Sequence, residues 1–323
     1  MVKIFHDNRA IVQLLVPFIL IGYILGNHYT GYHENGSLLR FGFWGNYQLT
    51  PHFLFGVISL ALIFINGVII NMLFNRSEFF EKNSYIVTLI FIVFQSYFHA
   101  FYTVDGVLLS QTFIVLFLFQ LFKLNQNEDG RKIVFNAAIF YGIACTFNPI
   151  LLLGTPFLFW LVWIVRPFVF RESILLITGF IVPLFYSGMF GFFLDVKIGR
   201  DELSSSSGEF LKVDMIWLLI CGTLLSLIGL KFLLQKFQVS SIRLKKLFRI
   251  LLLLSLLISI VVLLDFFLFS NFQNLSLLFI PLVFMLPYAF GEKQLRRVSV
   301  IVFYGLLIFS VSKFFIPFND LGF

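Results

Sequence analysis

Few side chains in this sequence can do chemistry, and most of them fall at one level. Four of its five histidines, His28, His33, His52 and His99, lie beside or between apolar runs on the same side, accompanied by Glu34, Arg40 and Asp105. Tyr102 and Asn148 belong to the same depth. Such a belt suits a phosphate- or sugar-bearing group, with Arg40 and a histidine on the anion and Glu34 or Asp105 as base. His28, His33, Arg40, His99, Tyr102, Asn148 and Asp265 are the candidate ligand-binding residues, and Glu34 and Asp105 the candidate catalytic ones. The plainer alternative is that histidines are simply tolerated at a membrane interface. No H-x-x-x-H or H-E-x-x-H spacing occurs, so no metal is expected, and no cofactor motif is present. Cys145 and Cys221 lie in apolar runs without ligand-spaced neighbours and read as small core residues.

Two carboxylates carry competing readings. Asp105, in F-Y-T-V-D-G-V-L-L-S, opens an apolar run, where a helix dipole favours a carboxylate and a capping role competes with a catalytic one. Asp265, in I-V-V-L-L-D-F-F-L-F, sits well inside an apolar run. A carboxylate there is costly unless paired or facing a polar cavity, which makes it a functional candidate. The structural alternatives are a hydrogen bond to another helix or a helix end close by.

The elements that must position these groups are membrane spans. Of the 323 residues, 59% are hydrophobic and only 12% charged, with a mean hydropathy of +0.97. A soluble domain carries about twice that share of charge. The composition excludes a soluble enzyme, a disordered chain, a coiled coil and a disulfide scaffold. The fold class expected is an all-α polytopic bundle in one domain, residues 1–323. Apolar runs occupy 11–26, 52–74, 85–99, 105–122, 133–147, 149–165, 173–194, 215–234, 248–271, 273–289 and 298–317. The step Asn148-Pro149 breaks helices, and one helix over 133–165 would run about 50 Å, too long for a simple crossing. Two short spans fit better than one bent element. No A-x-A-like site follows the first run, so 11–26 is expected to be a retained span.

Charge placement orients the chain. With a cytoplasmic N-terminus and eleven spans, 18 of the 23 Lys and Arg fall on the cytoplasmic side. Only Arg40, Lys197, Arg200, Lys212 and Lys313 fall outside, in agreement with the positive-inside rule and a periplasmic C-terminus. The net charge of +7 thus points to anionic lipid as a partner, with no nucleic acid. Asn71, Asn75, Arg76, Glu78 and Glu81 suggest a capped cytoplasmic elbow, and Arg166 and Arg171-Glu172 a pair of helix ends. Two outer loops are long: 27–51, beginning NHYTGYHENGSLLRFGFWGNYQLT, and 195–214, DVKIGRDELSSSSGEFLKVD. They read as an interfacial aromatic loop and a flexible turn, or else as the material of an outer site.

One stretch resembles a known class. Residues 108–124, LLSQTFIVLFLFQLFKL, lead to a basic turn. Then come 134–166, VFNAAIFYGIACTFNPILLLGTPFLFWLVWIVR, and 172–187, ESILLITGFIVPLFYS. This resembles the middle section of GT-C polyprenyl-phosphate-dependent glycosyltransferases. It is also similar to a family of Bacteroidota inner-membrane proteins that share this core and have no assigned activity. The resemblance covers about 80 residues and rests on hydropathy and turns. It implies a polyprenyl-phosphate ligand and an acidic residue in the first outer loop, where Y-H-E-N-G offers only Glu34. Three functions follow: a non-catalytic subunit of an envelope complex for secretion, motility or assembly, with other envelope membrane proteins as partners; a lipid-linked sugar transferase on the periplasmic face; or a transporter or flippase. The last predicts more charges inside spans and helices broken in related halves, which only Asp265 and the 148–149 break supply. The first demands least of a sequence with few reactive groups.

Overall fold

The computed structural model describes residues 13–31, 38–48, 53–80, 82–125, 130–166, 169–193, 213–269, 272–291 and 295–315. Among the described residues eleven α-helices occur, one for each apolar run. They are α1 (Leu15–Thr30), α2 (Phe53–Arg76), α3 (Ile86–Gln95), α4 (Gly106–Leu124), α5 (Arg131–Phe147), α6 (Thr155–Val165), α7 (Phe170–Phe193), α8 (Val213–Val239), α9 (Ile242–Phe269), α10 (Leu275–Leu282) and α11 (Arg296–Ser312). Between α1 and α2 a short hairpin pairs β1 (Leu38–Arg40) with β2 (Asn46–Gln48), Arg40 opposite Asn46.

By length and composition, α2, α4, α7, α8 and α9 can each cross a membrane. The protein is a helical bundle consistent with a multi-pass membrane protein. The shorter helices have other surroundings. Every residue of α3 is buried, and at ten residues it rises only about 15 Å, half a hydrocarbon core. A 3₁₀ turn at His99–Phe101 continues it, and one at Leu286–Phe290 follows α10, which is itself mostly buried. These two short helices form the protein-lined centre.

At Asn148-Pro149 the chain reverses. A 3₁₀ turn, Pro149–Gly154, folds back along α5, where the Tyr141 hydroxyl donates to the Leu151 carbonyl at 2.8 Å. A Cβ on Gly154 would lie 2.6 Å from that hydroxyl, so the approach requires glycine. At the far end Gly130 lies against the Arg166 side chain, so α5 and α6 run antiparallel as two segments. Close crossing of α5 and α7 depends on Gly142 and Gly179, whose added Cβ atoms would lie 2.8 Å from the Phe180 carbonyl and 2.7 Å from that of Phe135. Small residues of this kind let helix backbones approach in lipid. α1 is bound to the bundle: the hydroxyls of Tyr23 and Ser310 are 2.5 Å apart, and Gly26 faces the Phe314 ring.

The bundle has two unlike ends. At one, the hairpin covers the start of α4 and the ends of α5 and α7. At the other gather the described lysines and arginines, all except Arg40 and Lys313. That basic end is closed by a dry aromatic cluster. Phe79, fully buried, stacks on Phe74 at 5.2 Å and meets Phe248 at 5.4 Å and Phe284 at 5.7 Å, while Tyr288 donates to its carbonyl at 2.9 Å. The elbow after α2 is capped as expected: the Asn75 side chain accepts from the Ser84 amide at 3.0 Å. Arg166 and Glu172 form an ion pair at 3.2 Å.

Candidate functional site

The hairpin end holds a buried polar seam whose anchor is Asp265. It lies four residues before the end of α9, where the helix dipole disfavours a carboxylate, and it is only 2% exposed. Its neighbour is Asn274, whose amide donates to the carboxylate at 2.7 Å. The oxygen of that amide in turn accepts from the Asn148 amide at 2.5 Å. Asn148 stands at the end of α5 and Asn274 at the start of α10, positions where asparagine commonly caps. Neither start is capped by them: the α10 backbone receives no side-chain bond from Asn274, nor the Pro149–Gly154 turn from Asn148. Both amides are turned inward, onto each other and the carboxylate. Helix-end stability is given up to hold Asp265.

Two residues after Asn274 the seam continues inward. Gln95 donates to the Ser276 carbonyl at 2.9 Å, and the Gln111 amide donates to the Ser276 hydroxyl at 2.7 Å and to the Gln95 oxygen at 3.1 Å. All three residues are fully enclosed. The Gln111 side-chain oxygen is buried with no hydrogen bond among the described residues. One residue beyond Gln95, the Ser96 carbonyl accepts from Tyr102 at 2.8 Å and from the Lys313 ammonium at 2.5 Å. The rings of Tyr97, Tyr102 and Phe314 surround that ammonium at 5.2 to 5.3 Å, a geometry that stabilises a desolvated cation.

The hairpin packs on the residues that flank Asn148. Trp44 donates to the Thr146 hydroxyl at 3.2 Å, stacks on Phe147 at 6.0 Å and meets Phe190 at 4.9 Å. Gly42, at φ +61°, leaves no room for a Cβ, which would lie 2.5 Å from the Thr146 carbonyl. Gly106 is wedged between the carbonyls of Phe147 and Arg40. Residues 40, 106 and 147 thus meet, and their chain neighbours are Asp105 and Asn148.

Of the residues singled out in the sequence, the structure links Asn148 to Asp265 through Asn274, and seats the Arg40 backbone against Gly106, the chain neighbour of Asp105. Asp105 is the N-cap of α4, accepting from the Leu108 amide at 2.8 Å. Tyr102 belongs to the Lys313 cluster, and His99 pairs through Nδ1 with the Thr103 hydroxyl at 2.9 Å. His28 stands apart, exposed in the last turn of α1 beside Tyr29. His33, Glu34 and His52 lie outside the described residues, as does most of 195–214. Sequence reasoning missed Asn274, Gln95, Gln111, Ser276 and Lys313. The available signal was amides and a cation within or just beside apolar runs. Among the described residues no three His, Cys, Asp or Glu side chains gather as metal ligands would. No protein-family model, curated protein or solved structure matches the chain.

Proposed function

We propose that this chain is an integral subunit of a bacterial cell-envelope complex in the inner membrane, serving secretion, motility or envelope assembly. In this reading it is a non-catalytic scaffold of GT-C-like architecture, with the N-terminus cytoplasmic and the C-terminus periplasmic. One observation carries the reading: four described reactive groups of the hairpin end, Asp105, Tyr102, His99 and Asp265, each hold an internal partner. Asp105 caps α4, Tyr102 holds the Ser96 carbonyl, His99 holds Thr103, and Asp265 is held by Asn274. A general base needs a lone pair aimed at its substrate, and an inward network serves better to fix helices. The clustering of described basic residues at the opposite end supports the orientation.

A polyprenyl-phosphate-dependent transferase acting on the periplasmic face is the second reading. It is favoured by the placement of the hairpin, which seats Arg40 beside Asp105 and Asn148 and begins four residues after Glu34 in sequence. The test is to purify the protein in mild detergent from its native membrane and identify by mass spectrometry the proteins and lipids that stay bound. Stoichiometric proteins without polyprenyl-phosphate species, unaffected by Glu34→Ala, are the expected result. A retained polyprenyl-phosphate or sugar adduct, lost on Glu34→Ala or Arg40→Ala, would overturn the scaffold reading.

A further inference from the structure

The basic end contains a charge arrangement that the bundle itself does not explain. The turn between α8 and α9, with its flanking helix ends, spans residues 231–249 and holds Lys231, Lys236, Arg243, Lys245, Lys246 and Arg249 without one Asp or Glu. One of these cations has a structural duty, Lys246, which donates to the Val165 carbonyl at 3.1 Å; the Arg243 backbone carbonyl accepts from Asn125 at 3.3 Å, and together these bonds fix the turn to the ends of α6 and α4. Lys245 and Arg249 are different. One helical turn apart on α9, both lie against the same ring, Phe237 of α8, at 5.9 and 6.0 Å. Like charges at this spacing repel. Neither charged group has a hydrogen bond or ion pair among the described residues, and Glu172, the buried acid of this end, is paired with Arg166.

Depth places the pair. From Ile250 to Phe269 α9 has 20 residues, about 30 Å, which matches a hydrocarbon core. Arg249 and Lys245 therefore fall just past its boundary, at headgroup level, and Phe237 lies with them. Beyond them the turn exposes Val239 and Ile242, 88% and 79% accessible, apolar tips suited to an interface and ill suited to water.

We infer that Lys245 and Arg249, over the Phe237 ring, form a clamp for the phosphodiester of an anionic phospholipid at the basic end. The phosphate oxygens accept from the ammonium and the guanidinium, relieving their repulsion, while the ring borders the start of the acyl chains. The site is separate from the polar seam and stands whether or not the scaffold reading does.

Native mass spectrometry of the detergent-purified protein titrated with phosphatidylglycerol or phosphatidylcholine tests it. Phosphatidylglycerol is expected to be retained preferentially. In Lys245→Gln/Arg249→Gln its binding should weaken about 25-fold, about fivefold per cation, to the level of phosphatidylcholine. Lys231→Gln/Lys236→Gln, with the same change in charge, should keep the preference, and Lys245→Arg/Arg249→Lys should restore it, which separates the clamp from misfolding. Equal retention of the two lipids would overturn the inference, as would equal losses in the two Gln pairs. Displacement of phosphatidylglycerol by millimolar inorganic phosphate would overturn the lipid as the source of the phosphate.

Discussion

Replacing Asn274 by alanine should be among the most damaging single changes at the hairpin end, although its side chain is small. Asn274 makes two hydrogen bonds at once, donating to Asp265 and accepting from Asn148. A neutral interhelical bond in a membrane protein contributes about 0.6–1.7 kcal/mol. A buried group deprived of its partner costs about 1–3 kcal/mol, and more when charged. Asp265 and Asn148 are both enclosed, at 2% and 7% exposure, so water cannot replace the lost amide cheaply. Asn274→Ala is therefore expected to destabilise the protein by about 3–4 kcal/mol.

Asp265→Asn behaves differently, because an amide oxygen at that position still accepts from Asn274. Its cost should stay below about 1 kcal/mol, and in its background Asn274→Ala should cost only about 1–2 kcal/mol. The cycle thus predicts a coupling of about 2 kcal/mol between the two positions. Titration of the protein from mild detergent into denaturing detergent, followed by tryptophan fluorescence, measures all four corners. A change below about 0.5 kcal/mol for Asn274→Ala, or additivity within about 0.5 kcal/mol, would refute the seam as a load on the fold.

Three further outcomes follow from the same contacts. Gly106→Ala should push the hairpin off α4, because its Cβ meets the carbonyls of Arg40 and Phe147. A loss of about 1–3 kcal/mol and a changed Trp44 emission are expected, the latter readable after the other tryptophans are replaced by Phe. Asp105→Ala should cost about 1 kcal/mol of thermal stability and Asp105→Asn little, since asparagine caps equally well. If Asp105→Asn abolishes the cellular function while stability holds, the carboxylate has a chemical role. For the orientation, a cysteine replacing Val239, 88% exposed, in a background lacking Cys145 and Cys221 should react with a membrane-impermeant maleimide only after cells are opened, whereas one replacing Trp44 should react in intact cells.

The eleven helical segments were legible because each apolar run is bounded by polar or basic residues and lipid-soluble length leaves few alternatives. The reversal at Asn148-Pro149 was legible as well, since proline ends α5 and the remaining length is too great for one crossing. Asp265 was visible as a charge in the wrong solvent. Its partner was not: Asn274 stands at a run's edge, where an asparagine looks like an ordinary helix start, and its contact with Asn148 spans 126 positions. Asp105 had two readings from sequence, and the structure gives it the capping bond. The hairpin escaped notice for a local reason. Its strands are three residues each, too short for an alternating pattern, and its tight approach depends on Gly42 and Gly106 meeting backbone that no local pattern reveals.

The contrast between the two ends constrains what the interior of each can hold. At the basic end Phe74, Phe79, Phe248 and Phe284 fill the interior with rings, so binding there is left to the cations outside them, Lys245 and Arg249. At the hairpin end the interior holds amides, a carboxylate and a lysine, each making one or two specific bonds, with the Gln111 oxygen left unbonded among the described residues. A polar core of this kind is costly in lipid, and its cost falls on the elements that meet there: α9 carries Asp265, α10 carries Asn274 and Ser276, the α5–α6 reversal carries Asn148, and α3 carries Gln95. Apolar residues of similar volume would hold these elements together at least as well. Hydrogen bonds are directional where rings are not, so the seam fixes one register among α3, α9, α10 and the α5–α6 reversal. The hairpin is seated on that register through Gly106 and Thr146. A surface presented by the hairpin, to a partner protein or to a lipid-linked sugar, is thereby held in a single geometry, and the Asn274 cycle measures how firmly.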